Sequence, residues 1–69
     1  MDMRKLVGEN TGRIWKEKGL TQEALAEKSG LSQQYISGLK SGHRNPTILM
    51  LFELAVALGV GHLELVTPI

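Results

Sequence analysis

The chain contains no cysteine, which excludes disulfides and thiolate-bound metals outright. Aromatic residues are scarce as well, with one Trp, one Tyr and one Phe in 69 residues. That is poor material for the strands of a β-sandwich or barrel. The two histidines stand far apart among scattered carboxylates, so no zinc spacing is present and no cofactor is expected. No apolar run approaches the ~20 residues that a membrane-spanning helix requires. The start, Met1-Asp2-Met3-Arg4-Lys5, leads into no signal-peptide core, so a cytoplasmic protein without membrane association is expected. Nucleophile–base pairs, paired catalytic carboxylates and metal motifs are all missing, which argues against an enzyme.

What the sequence does have is Leu, Ile, Val and Ala, the composition of an all-α domain. Residues 1–69 make one domain, near the size at which a single core is only just sufficient, so stability rests on helix packing and is helped by association. The net charge of +1 says little by itself. Its placement says more, because Lys40, His43 and Arg44 cluster with no acid between them.

Five helical segments are expected, over about 3–18, 21–29, 33–41, 48–58 and 62–66. The first has a weakly apolar face of Val7, Thr11 or Asn10, and Ile14, and Gly8 and Gly12 each cost it about 1 kcal/mol against Ala. Thr21 caps the second and Ser32 the third, while Thr47, or Asn45 with Pro46 in the first turn, caps the fourth. Gly19, Gly30, Gly42 and Gly59 follow the helices as left-handed stops. On the fourth helix, Ile48, Leu51, Phe52, Ala55 and Leu58 fit one inward face, with Leu49, Met50, Val56 and Ala57 beside or outside it.

Residues 21–45 carry the most specific pattern. Two helices crossing steeply over a short turn require a small residue four places after Gln22, met by Ala26. They require a glycine four further on, met by Gly30, and apolar residues to bury the second helix, met by Leu31, Ile36 and Leu39. The segments EKGLTQEALAEKSGLSQQYIS, SGHRNP, LFELAVALGV and LELV, spanning nearly the whole chain, resemble the Cro/C1-type (Xre-like) helix-turn-helix regulators. That resemblance implies a five-helix, lambda-repressor-like domain in which helices 2 and 3 form the helix-turn-helix. It also implies a sequence-specific regulator that binds double-stranded DNA through a symmetric operator as a homodimer, with helix 33–41 in the major groove. An alternative is an antitoxin-like module that uses the apolar surface of helices 4 and 5 for a protein partner, with DNA binding secondary.

A recognition helix turns its N-terminal and outward side chains to base edges. Here the outward positions are Gln33, Gln34, Ser37 and the hydroxyl end of Tyr35, and a glutamine can pair bidentately with adenine. The resemblance gives Gln22 a phosphate contact and a bracing role toward Gln33. Thr21, Ser41, His43, Arg44 and Asn45, with the free N–H groups at the start of helix 4, complete the expected phosphate-binding set.

Three positions depart from the family pattern. Where members commonly pair an Arg of helix 1 with a Glu of helix 3, this chain has Trp15 and Lys40, and a stacked pair is expected to replace the ion pair. Gly38, within the base-reading face, stands where a long polar side chain is frequent. Either the backbone there approaches DNA closely, or readout is concentrated on Gln33 and Gln34. Finally, Leu49, Met50 and Val56, with Leu63, Leu65 and Val66, are expected to form the interface with a second copy.

Overall fold

The computed structural model describes residues 2–68. In chain order its elements are α1 (Met3–Glu17), α2 (Gln22–Ser29), α3 (Gln33–Lys40), α4 (Ile48–Leu58) and a 3-10 turn at His62–Leu65. Every α-helix begins where a short side chain can accept an otherwise unpaired backbone N–H. Asp2 accepts from Arg4 and Lys5, Thr21 from Ala24, Ser32 from Tyr35 and Thr47 from Met50. The bond from the Lys5 N–H is the main reason the Asp2 carboxyl titrates below the usual range. Among the described residues there is no strand, and the class is all-α.

Two of these features position the rest. Gly30, at φ 75°, closes α2 and turns the chain into α3, a conformation that a side chain would oppose. At the crossing of α1 and α3, a Cβ on Gly8 would overlap the Leu39 carbonyl oxygen and lie 2.6 Å from that of Lys40. Glycine at position 8 is unfavourable for a helix taken alone, yet it lets the end of α3 rest directly on α1.

The core is built from Val7, Ile14, Trp15, Leu25, Ile36, Leu39, Leu54, Ala55, Leu58 and Leu65. Helix α1 packs on α3 and on the 3-10 turn, and α2 packs on α3 and α4. The polar Asn10 and Thr11 are also fully buried. Thr11 donates back to the Val7 carbonyl at 2.7 Å, and the Asn10 side-chain amide donates to the carbonyls of Leu65 and Thr67, each at 3.0 Å. Both buried polar groups are therefore satisfied.

Two expectations need correction. The segment over 62–66 is a single 3-10 turn rather than an α-helix, because the Leu65 carbonyl is bonded to Asn10 of α1 instead of onward along a helix. The inward face of α4 is also different. Leu54, Ala55 and Leu58 are buried, whereas Ile48 is 78% exposed and Phe52 55%. This helix is apolar almost all round, so periodicity alone does not select a face. Packing against α2 and the 3-10 turn does.

Candidate nucleic-acid interface

Helices α2 and α3 are fixed to each other by side chains at their starts. The Gln22 amide nitrogen donates to the Gln33 main-chain carbonyl at 2.9 Å. The bond goes to the backbone of Gln33 and leaves its side chain free. Ile36 and Leu39 are buried on the inner side of α3, so Gln33, Gln34 and Ser37 are exposed on the outer side. Half-buried Tyr35 lies at the flank of that surface, its hydroxyl 3.5 Å from Met50 Sδ as donor.

The loop after α3 is held back against it. The Gly42 N–H donates to the Leu39 carbonyl at 3.1 Å and the His43 N–H to that of Gly38 at 2.8 Å. Gly42 has φ 80°, the left-handed geometry such a stop requires. The Ser41 hydroxyl lies within hydrogen-bond reach of the carbonyls of Ser37 and Gly38 and 3.0 Å from His43 Nδ1. Thr21 and Thr47 are exposed caps at the starts of α2 and α4, and Asn45 is exposed in the loop just before α4.

Arg44 is the residue whose placement sequence reasoning missed. Its guanidinium carbon lies 5.2 Å from the Tyr35 ring centroid. Its side chain crosses Gly38 so closely that a Cβ there would meet Nε at 2.9 Å and Cγ at 3.1 Å. The space left by the glycine is filled by the arginine.

Lys40 points the other way, back onto α1. Its Nζ is 5.1 Å from the Trp15 ring centroid, and its stem passes over Gly12, whose added Cβ would meet Lys40 Cε at 3.2 Å. Trp15 itself is only 6% exposed, so the lysine covers the open edge of a core side chain.

The residues expected at a subunit interface divide. Leu49, Val56 and Leu63 are 72%, 62% and 66% exposed, and Met50 and Val66 are half-buried. Leu65 is 0% exposed and belongs to the core. A 3-10 turn has about three residues per turn, so residues two apart point in well-separated directions and an outward Leu63 leaves Leu65 inward. Ile48 and Phe52 take its place, and Ile48, Leu49, Phe52 and Val56 follow one stripe of α4 at helical spacing. His62 borders the stripe, its ring 6.3 Å from that of Phe52. Among the described residues, no group of His, Asp and Glu could hold a metal, and no helix is long and apolar enough to cross a membrane.

A helix-turn-helix family model matches residues 13–65. The chain is 65% identical over 68 residues to an uncharacterized HTH-type transcriptional regulator, y4dJ, of Sinorhizobium fredii, a match covering 99% of this chain and 88% of the relative. Among solved structures it is similar to the restriction-modification controller protein C.AhdI from Aeromonas hydrophila. That match has TM-score 0.86 and 35% identity, covering 90% of this chain and 94% of the other. It is likewise similar to the controller protein C.Esp1396I, solved as a tetramer in complex with its natural 35 base-pair operator. Here the TM-score is 0.86 and the identity 37%, covering 94% of this chain and 86% of that one.

Proposed function

The chain belongs to the helix-turn-helix family of DNA-binding transcriptional regulators, and on that premise we propose that it reads a symmetric operator as a homodimer, with α3 in the major groove. The observation that carries this reading is the pairing of Gln22 with the Gln33 carbonyl. It fixes the first turn of α3 relative to α2 and leaves Gln33, Gln34 and Ser37 facing outward. In that geometry Gln34 is the principal base reader, since an amide can both donate to and accept from adenine N7 and N6. Gln33, Ser37 and the Tyr35 edge supply further contacts along the outer face of α3.

Phosphate contacts set the register of such a helix without reading sequence. Thr21 and Gln22 at the start of α2 serve this role, with Ser41, His43 and Asn45 on the other side. Arg44 brings the full positive charge of the loop to the DNA. The reading places the protein in the cytoplasm, where the DNA is.

The apolar stripe Ile48, Leu49, Phe52 and Val56, continued by Leu63 and edged by Met50 and Val66, supports a second copy as partner. A contiguous apolar surface of this kind on a small domain is most stable when covered. The similar controller protein C.Esp1396I was solved as a tetramer in complex with its operator. Two copies related by a two-fold axis would set their α3 helices about one DNA turn apart. A role as an interaction module with DNA binding secondary is not favoured, because the family and the operator-bound neighbour are DNA-binding regulators.

Selection from random-sequence duplex DNA tests the proposal. The expected result is an enriched two-fold symmetric site with half-sites about one helical turn apart. Enrichment of no site, with no binding even at low salt where phosphate contacts are strongest, would overturn it.

A further inference from the structure

We infer that Arg44 is a base-reading residue that takes the place of the side chain absent at Gly38, and that its target is a guanine. This assignment rests on α3 lying in the major groove. Position 38 follows Gln34 by one turn and so lies on the same outer side of α3. A side chain attached there would reach toward the bases, but Gly38 has none. Arg44 enters from the loop and occupies the space, with Nε and Cγ at 2.9 and 3.1 Å from where a Cβ would stand. A group recruited from six residues onward thus fills a position in the recognition surface.

The local chain makes this placement reproducible. Gly42, in left-handed geometry, and the bonds from Gly42 to Leu39 and from His43 to Gly38 reverse the chain. Residue 44 is thereby returned onto α3. The Arg44 guanidinium carbon then lies over the Tyr35 ring, 5.2 Å from its centroid, and Tyr35 is in turn held at its hydroxyl by Met50. A guanidinium held over a ring while its stem lies against Gly38 has lost rotational freedom before DNA arrives, which favours a directional contact over a loose ionic one. Guanidinium has donors only, and in the major groove the base edge with two adjacent acceptors is that of guanine, N7 with O6. The chemistry that fits is therefore a bidentate arginine–guanine pair, one turn along α3 from the site read by Gln34.

The test measures affinity of the full chain for the site enriched by selection and for duplexes in which each base pair of a half-site is changed in turn. Wild type is expected to lose roughly 5–150-fold at one G·C pair assigned to Arg44. Arg44→Ala and Arg44→Lys should both abolish that preference, although the lysine keeps the charge and hence the salt dependence. Gly38→Ala should abolish it as well while Arg44 is still present, because the new methyl displaces a flexible side chain. Alanine also favours the helix, so that variant is expected to remain folded, as circular dichroism would verify.

If Arg44→Lys behaves as wild type at every pair, and Arg44→Ala weakens all duplexes evenly with a salt slope reduced by about one, Arg44 is a phosphate clamp and the assignment is overturned. A normal base preference in a folded Gly38→Ala would also overturn it. A wild type that enriches no site would overturn the underlying reading of α3 together with it, whereas the preceding two results leave that reading intact.

Discussion

Lys40 lies on Trp15, with its ammonium nitrogen 5.1 Å from the ring centroid. The family resemblance implies that an arginine commonly faces a glutamate at this crossing of α1 and α3. Here both positions hold other residues, and we propose that the cation on the ring face serves in place of that ion pair. Removing the lysine should therefore be felt by the tryptophan. Lys40→Ala is expected to shift Trp15 emission toward that of a more exposed indole and to lower stability by about 0.5–1 kcal/mol. Unchanged emission and an unchanged melting temperature would remove the contact from the account.

The two glycines beneath that pair should respond differently to the same substitution. Gly8→Ala forces a methyl against the backbone carbonyls of Leu39 and Lys40, which cannot move without shifting α3. A loss of about 1–3 kcal/mol is expected. Gly12→Ala meets the flexible Lys40 stem first, and the gain in helix propensity of about 1 kcal/mol offsets the displacement. Thermal denaturation of the two variants measures the difference. Equal effects would contradict a backbone contact at Gly8.

Asn10 joins the beginning of the chain to its end. Its amide is fully buried and donates to the carbonyls of Leu65 and Thr67. Asn10→Ala leaves those bonds unmade and should cost about 1–3 kcal/mol. Hydrogen exchange should quicken at residues 62–67 more than in α2. Uniform loss of protection across the chain would mean that Asn10 supports the core as a whole and not the C-terminal turn.

The pair of Asn10 and Leu65 also illustrates what was legible in the sequence. Local rules identified Thr21, Ser32 and Thr47 as caps, because capping depends on a residue and its near neighbours. They also identified Gly30 and the inner side of the helix-turn-helix, with Ile36 and Leu39 buried and Leu31 half-buried against the core, where spacing dictates contact. The inward face of α4 was not legible, since a helix apolar on nearly every side has no preferred face until a neighbour is present. Ile48 and Phe52 were misplaced for that reason. Leu65 was misplaced because the 3-10 turn at His62–Leu65 sets it inward where Leu63 is outward, and that turn is tied to Asn10 far back in the chain. Arg44 was legible as a basic loop residue, but its return onto Gly38 and Tyr35 depends on where the loop sends it.

The exposed stripe on α4 makes a prediction about assembly. Val56→Glu puts a charge into a surface proposed to meet its own copy, where two such charges would approach each other. Sedimentation should show the wild type as a dimer and the variant as a monomer, with circular dichroism unchanged because Val56 is 62% exposed in one chain. A variant as dimeric as the wild type would place the interface elsewhere.

The central claim is that the outer face of α3 reads DNA sequence, and Gln34 is where it is most directly tested. The measurement is affinity for the selected site relative to a scrambled duplex, titrated at several salt concentrations for wild type and Gln34→Ala. The variant is expected to lose about 1–3 kcal/mol of discrimination at the base pairs it reads, with its salt slope unchanged because no phosphate contact has been removed. Equal discrimination in the two proteins, or an even loss on selected and scrambled duplexes alike, would contradict a reading role for α3.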